Sequence, residues 1–341
     1  MKIKILGLTA ILFASLFIQT FAADIEVQPT MISRGNEQDR VWVGTFQIVW
    51  NEFMDKYIRS AVRFREGTPL SAQQLNQKTF KIKSLTEKCY YIYSGNITKN
   101  TVNNIKRAIS KKFNETSDIL DSLNLIPSPN NFIIYAMLKK DFEFIKAFDK
   151  LGNFPFGKSM TAEFFGIDKN TDKQVKEAVK VLYYNNRDDF AVKLATKGTD
   201  EVLLYKNSAN KEFKRLYRDM NYKASKYEGN LLLGEEDELR VPNIKFDVTK
   251  SFDELCNKRV MGTNIVIGSA IETIKFNMDN KGVQLKSEAA IVMETSALMP
   301  EEEKPEPRYF YLDNTFIIFL KEKDKSSPYF ALRVNNINKF Q

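Results

Sequence analysis

The sequence predicts an α+β fold in which helices pack on large mixed β-sheets. Apolar residues recur at helical spacing in the first third of the chain and alternate at a period of two in the second half, and no internal repeat is found. Of the 341 residues, 43% are hydrophobic and 28% are charged. That balance is typical of a globular protein and excludes disordered, collagen-like and disulfide-scaffold proteins.

Helices are predicted over residues 41–60 and 101–113, with a short helical turn over residues 119–123. The first helix carries one apolar stripe, made of Phe46, Val49, Trp50, Phe53 and Tyr57. The second carries another, made of Val102, Ile105, Ile109 and Phe113. The short turn ends before Pro127 and Pro129, because proline breaks a helix.

Strands are predicted mainly in the second half of the chain. The continuous apolar run of residues 132–138 is typical of a strand that is buried on both faces. Residues 179–194 alternate on either side of a polar turn and predict a hairpin, and residues 274–278 alternate before a second turn. Residues 316–321 and 329–334 are the last predicted strands.

Two segments, residues 234–238 and 299–308, are predicted to be mobile because they are rich in acidic residues or proline. Their carboxylates could bind a cation through oxygen ligands. Neither segment has the spaced ligands and central glycine of a calcium loop. We therefore interpret both acidic runs as solvated connectors.

Residues 1–22 have the pattern of a signal peptide. Lys2 and Lys4 precede an apolar stretch, and Ala22 ends a small-x-small cleavage pattern before Ala23. An uncleaved anchor is the alternative, but Gln19 interrupts a stretch that is already short for a bilayer span. We therefore expect a secreted, periplasmic or extracellular protein with a single domain over residues 23–341, which leaves the membrane once the signal peptide is removed.

The composition excludes several kinds of chemistry. The chain has no His and 2 Cys, so a His-based triad, a His metal ligand, a four-thiolate zinc site and an iron–sulfur centre are all excluded. Its net charge of +8 includes no Lys/Arg tract interleaved with aromatics, so no nucleic-acid partner is expected. We expect no cofactor and no metal. Cys89 and Cys256 are either a disulfide or two small buried apolar groups.

Ser208 and Lys211 fit the Ser-x-x-Lys pattern of acyl-transfer enzymes, in which the lysine amine activates the hydroxyl. The companion Lys-Thr-Gly element is absent, since residues 197–199 have the wrong order and lie upstream. We therefore interpret this segment as a solvated turn. Of the three kinds of function considered for this protein, an enzyme is the least favoured.

The segment that follows Gly282 has strand chemistry next to a Pro- and Glu-rich stretch. Its small or apolar residues alternate with polar ones, which is a period-two pattern. The apolar side consists of Val283, Leu285, Ser287 and Ala289. This pattern fits an ordinary strand with a long loop, and it also fits a bait loop that joins a sheet once it has been cut.

The C-terminal third resembles a serpin, the serine-protease inhibitor fold. Residues 241–255 are similar to a strand of that family and its following helix, and residues 270–290 resemble the strand and the Gly-anchored, Ala-rich hinge before the reactive loop. Residues 311–335 resemble the closing strand pair, and residues 132–149 resemble the central strand with its aromatic turn. The order of these blocks carries the resemblance.

The resemblance implies an inhibitor without a catalytic group. A target protease cuts the exposed reactive loop near the C-terminus, and the loop then inserts into the sheet as a new strand. The implied hinge consists of Gly282, Val283, Leu285, Ser287, Ala289 and Ala290. The implied scissile region consists of Thr295, Ser296, Ala297, Leu298 and Met299, with the bond near Ser296–Ala297.

Small or apolar residues at the scissile bond suggest an elastase- or chymotrypsin-like target. Insertion must also accommodate Leu285, and overpacking a core typically costs about 1–3 kcal/mol. The leading hypothesis is an exported, monomeric inhibitor of a serine or cysteine protease. The alternative is a non-inhibitory protein of the same fold, or another secreted α+β protein that binds a partner.

Overall fold

The structure is a computed structural model that describes residues 25–121, 123, 125–286 and 306–341. The predicted signal peptide, residues 1–22, lies outside the described residues. Among the described residues, no helix is long and apolar enough to cross a membrane.

The described residues form α-helices and several β-sheets, as in an α+β fold. The helices are α1 (Gly44–Glu52), α2 (Leu70–Leu75), α3 (Thr101–Phe113), α4 (Lys173–Lys176) and α5 (Phe213–Lys226), and a π-helical turn (Phe53–Ile58) extends α1. The first strands are β1 (Glu26–Val27), β2 (Arg40–Val43), β3 (Tyr90–Ile97), β4 (Ser128–Leu138), β5 (Lys140–Glu143), β6 (Asp149–Phe156), β7 (Met160–Ile167), β8 (Val179–Asn186) and β9 (Asp189–Ala195). The remaining strands are β10 (Asp200–Lys206), β11 (Glu238–Pro242), β12 (Ile244–Ser251), β13 (Ile271–Met278), β14 (Gly282–Leu285), β15 (Tyr309–Tyr311), β16 (Phe316–Glu322) and β17 (Phe330–Val334).

The largest sheet has the strand order β1-β2-β17-β16-β10-β9-β8, and a smaller one has the order β15-β11-β7-β6. Strands β12-β13-β14-β5 form a third sheet, and β3-β4 form a fourth. Lys139 alone separates β4 from β5, so the chain passes directly from the fourth sheet into the third. Among the described residues, β4 pairs with no strand other than β3. We call these two sheets together the split sheet.

Most of the predicted helices and strands are confirmed. The helix over 101–113 has the predicted bounds, and the hairpin of β8 and β9 and the closing pair of β16 and β17 lie within a few residues of their predicted ends. Helix α1 starts later than predicted, because Val41, Trp42 and Val43 pair with β1 and β17 in the largest sheet. Strand pairing outweighs helical periodicity at these positions.

The predicted helical turn over residues 119–123 is wrong for the residues that the structure describes there. The hydroxyl of Ser117 accepts hydrogen bonds from the backbone N–H groups of Ile119 and Leu120, at 3.3 and 3.1 Å. This local turn competes with helix formation. Leu120 is buried in a second, smaller core between α3 and the outer face of β4.

Candidate functional site: a cleft in the split sheet

A cleft of about 1080 Å³ opens where the two parts of the split sheet separate. Residues 130–138 of β4 form one wall, and residues 264–275, which end in β13, form the other. Among the described residues, β4 pairs with β3 alone, and residues 271–275 pair with β12 alone. Both walls therefore present a strand edge without a ladder partner to the cleft.

Helix α1 forms the floor of the cleft with the apolar stripe that its periodicity predicts. Phe46, Val49, Trp50 and Phe53 line the cleft from below. The ring of Phe132 on β4 stacks on Tyr57, with centroids 4.1 Å apart. The floor is thus a packed apolar layer, which suits the inward side chains of a further strand.

Strand β14 occupies the head of the cleft and runs antiparallel to both neighbours, β13 and β5. Its first residue requires glycine, because a Cβ at Gly282 would collide with the carbonyl oxygen of Phe142 and lie 2.8 Å from the Cα of Glu143. Gly282 therefore lies where the chain enters the gap between the two strands. Its role as the anchor of a reactive loop stays a prediction.

The period-two pattern after Gly282 is confirmed for residues 283–285. Val283 and Leu285 point inward and are 1% and 4% exposed, whereas Gln284 is exposed. Leu285 already fits the interior that it was expected to overpack. Ser287, Ala289, Ala290 and the predicted scissile residues Thr295, Ser296, Ala297, Leu298 and Met299 lie outside the described residues.

Two carboxylates of the segment after α3 tie the strands together across the head of the cleft. Asp118 lies 3.1 Å from Lys275 of β13 and 3.3 Å from Lys286, which follows β14. Glu115 lies 3.0 Å from Lys286 and 2.7 Å from Lys139, between β4 and β5. Burial opposes the charge of Glu115, but the hydrogen bonds from Lys139 and Lys286 outweigh it and lower its pKa.

A buried ion cluster fixes β5 beneath the hinge. Lys140, which lies opposite Leu285, places its Nζ 2.6 Å from Asp200 and 2.8 Å from Glu322. Burial alone would lower the pKa of Lys140, but Asp200, Cys89 and Glu322 together outweigh this effect and raise that pKa. Removing one partner of such a cluster typically costs about 3–5 kcal/mol, so the cluster holds β5 in place.

The fold of this chain is similar to that of known structures. The crystal structure of Serpin48 from the insect Tenebrio molitor matches this chain with a TM-score of 0.52 and 12% sequence identity, over 90% of this chain and 95% of that one. The protein has the serpin fold. This result confirms the fold class and the resemblance that the sequence blocks indicated.

Two further serpin structures are similar at lower scores. The serpin from Schistosoma mansoni has a TM-score of 0.42 and 14% identity, over 69% of this chain and 63% of that one. Thyroxine-binding globulin in complex with thyroxine has a TM-score of 0.41 and 15% identity, over 69% of this chain and 64% of that one. No protein-family model matches the chain, and no curated protein is similar to it in sequence.

In this serpin fold, one wall of the cleft carries a buried carboxyl group. Glu272 of β13 is 5% exposed, and its Oε1 accepts a hydrogen bond of 3.3 Å from the backbone N–H of Phe46 in the first turn of α1. Its Oε2 has no hydrogen-bond partner among the described residues. Burial raises the pKa of Glu272 to about 8, against the smaller opposing effect of the Phe46 N–H.

This pKa predicts that stability falls as pH rises. Between about pH 4.5 and 8 the folded protein keeps a proton on Glu272 that the unfolded chain has released, so the free energy of unfolding decreases over that range and is constant above it. Glu272→Gln should remove this slope and stabilise the protein at about pH 9 by a few kcal/mol, since one pKa unit corresponds to about 1.4 kcal/mol. Urea unfolding across pH measures the effect.

The matched control is Glu143→Gln on β5, whose carboxyl is fully exposed. This variant should keep the slope of the wild type between about pH 5 and 8. An unchanged slope in Glu272→Gln would show that Glu272 does not hold the proton.

The far end of the predicted reactive loop is held by Arg308, just before β15. Its guanidinium lies 2.7 Å from Asp237, which is 2% exposed, and donates to the carbonyl oxygens of Asn230 and Leu232 at 2.8 and 2.6 Å. The prediction that residues 234–238 and Arg308 are mobile connectors is therefore wrong for this buried pair. The sequence of each segment alone does not indicate that its charged residue pairs with one in the other segment.

Within the described part of the chain, the structure does not bring together the residues of the candidate acyl-transfer site or of a metal site. Ser208 and Lys211 lie in an exposed loop, where their carbonyl oxygens accept hydrogen bonds from Arg333 and Arg40. Their side chains form no hydrogen bond with each other among the described residues. Across residues 25–121, 123, 125–286 and 306–341, no cluster of Cys, Asp or Glu could hold a metal ion.

The two cysteines are buried and do not form a disulfide. Cys89 Sγ donates to Glu322 at 3.5 Å, and Cys256 Sγ donates to the carbonyl oxygen of Phe252 at 3.6 Å. Burial raises the pKa of both thiols. Both are therefore small buried groups, which is one of the two alternatives that the sequence left open.

Proposed function

We propose that this protein is an exported inhibitor of a serine or cysteine protease, and that its cleft accepts its own reactive loop after the loop is cut. The observation that carries the proposal is the position of β14. This strand already lies between β13 and β5 at the head of an open cleft, in the orientation that an inserted strand would have. Insertion would then extend an existing ladder.

The register of β14 supports this proposal. Leu285 lies opposite Phe276 on β13 and Lys140 on β5. Because both neighbours are antiparallel to β14, each later residue would lie opposite a residue one step earlier on each wall. Ser287 would meet Ile274 and Leu138, and the small residues of the hinge would point toward α1.

The length of the cleft also agrees with the predicted cleavage site. Continuing the same register down β4, residues 287–295 would lie opposite residues 138–130, which are the residues of β4 that line the cleft. At about 3.3 Å per residue this is a strand of about 26 Å. The inserted segment would therefore end at Thr295, where the predicted scissile region begins.

The proposal makes the protein a suicide substrate and not an enzyme, since the target protease supplies the chemistry. Its export rests on the signal-peptide pattern of residues 1–22. Inhibition would require insertion to be faster than hydrolysis of the acyl-enzyme. The cleft favours this, because among the described residues no strand lies between its two walls beyond Leu285.

The test is incubation of the mature protein with an elastase-like and a chymotrypsin-like protease. A covalent adduct that survives denaturing electrophoresis is expected with one of them, with the acyl bond mapped between Thr295 and Met299. A protease whose active-site serine is replaced by alanine should give no adduct. Complete cleavage without any adduct would contradict the inhibitory function and leave a binding protein with the serpin fold.

A further inference from the structure

A second property of the cleft follows from Glu272, and it rests on the proposed function. This carboxyl lies midway along the β13 wall, below the point at which β14 ends. Extending the register of β14 places the fourth residue after Leu285 opposite Glu272 and opposite Ala136 on the other wall. An inserting strand therefore has to pass Glu272 before the cleft is filled.

Among the described residues, no charged group forms an ion pair with Glu272. Its cross-strand neighbour on β12, Lys250, is exposed and forms no salt bridge with it. The other charged residues that line the cleft are Asp118, Lys275 and Lys286. Asp118 pairs with both lysines at the head of the cleft. From α1, Glu272 meets only the backbone N–H of Phe46, and its Oε2 has no hydrogen-bond partner among the described residues.

We propose that a proton on Glu272 controls loop insertion, so that the cleft accepts a strand when this carboxyl is neutral and resists one when it is ionised. An inserted strand closes the cleft over Glu272 and removes its remaining access to water. A buried carboxylate without a counter-charge is strongly disfavoured, whereas a neutral carboxyl can be buried at much lower cost. Ionisation and insertion therefore oppose each other.

The direction of the control follows from the acid–base behaviour of the open cleft. Burial already raises the pKa of Glu272 to about 8, so both forms are populated near neutral and mildly basic pH. By linkage, if ionisation weakens insertion, then insertion must raise the pKa of Glu272 further. Insertion should be fast below about pH 7 and should slow as the pH rises past about 8.

The test uses a synthetic, fluorescently labelled peptide with the sequence of residues 287–298, which anneals into the cleft of the intact protein without any protease. In wild type, the annealing rate should be constant below about pH 7 and fall about tenfold per pH unit well above the pKa, because only the neutral fraction accepts the strand. Glu272→Gln should anneal at the fast rate throughout. Asp118→Asn removes a carboxylate at the head of the same cleft. In this variant the annealing rate should still fall with pH as in the wild type.

The outcomes separate this inference from the proposed function. The same fall with pH in Glu272→Gln would overturn the control by Glu272 and leave the cleft as a strand acceptor. An absence of annealing at every pH in all three proteins would overturn the acceptor cleft and this inference with it.

A second readout uses the wild type alone, should Glu272→Gln fail to fold. The infrared band of the neutral buried carboxyl should disappear at higher pH in the annealed complex than in the open protein. Disappearance at the same pH in both states would overturn the inference.

Discussion

A single proteolytic cut between Met293 and Met299 is expected to raise the melting temperature of the protein by about 20 °C. The cut would free the loop to enter the cleft and to pair with the edges of β4 and β13, which have no ladder partner there among the described residues. About ten new hydrogen bonds at about 1 kcal/mol each would add roughly 10 kcal/mol. Each 1 kcal/mol raises the melting temperature of a domain of this size by about 2–4 °C.

The measurement is a calorimetric melt before and after the cut, with the cut mapped by mass spectrometry. A cut in the exposed turn at residues 323–325, between β16 and β17, is the control and should not raise the melting temperature. If cleavage between Met293 and Met299 leaves the melt unchanged or lowers it, the loop does not insert and the inhibitory mechanism is wrong.

Val283→Glu is expected to abolish the gain in melting temperature and the protease adduct together. Val283 is 1% exposed and lies between Met278 on β13 and Phe142 on β5, both apolar. A carboxylate at this position would be buried without a partner, at a cost of several kcal/mol. β14 would then leave the sheet, and a cut loop would have no hinge from which to insert.

The matched control is Gln284→Glu, which places the same charge one residue later, on the exposed face of β14. This variant should inhibit and gain stability like the wild type. Cleavage at normal rate without an adduct in Val283→Glu, together with normal adduct formation in Gln284→Glu, is the expected result. Equal adduct formation in both variants would contradict the inward direction of the hinge.

The parts of the fold that repeat a local pattern could be predicted from the sequence. The stripe from Phe46 to Tyr57 predicted the apolar face of the first helix, and the alternation after Gly282 predicted which of residues 283–285 point inward. Both depend on the helical and strand periods, which are properties of neighbouring residues. The start of α1 was mispredicted because Val41 and Trp42 are held by partners distant in sequence.

The electrostatic parts of the site could not be predicted, because they join distant segments. Asp118 pairs with Lys275 and Lys286, and Asp237 pairs with Arg308, across loops whose sequence is merely polar. Glu272 left a usable signal. It lies two residues before Ile274 and continues the inward alternation of Ile274, Phe276 and Met278. A carboxyl group in such an apolar series predicts a buried acidic side chain.

Hydrogen exchange of the two cleft walls would show whether a cut loop fills the cleft. In the intact protein, the backbone amides of residues 130–138 and 271–275 that point into the cleft have no ladder partner among the described residues and should exchange fast. After the loop is cut between Met293 and Met299, the same amides should become strongly protected, on both walls together. Exchange that stays fast on either wall would mean that no strand fills the cleft, and the account of this protein as a loop-inserting inhibitor would be wrong.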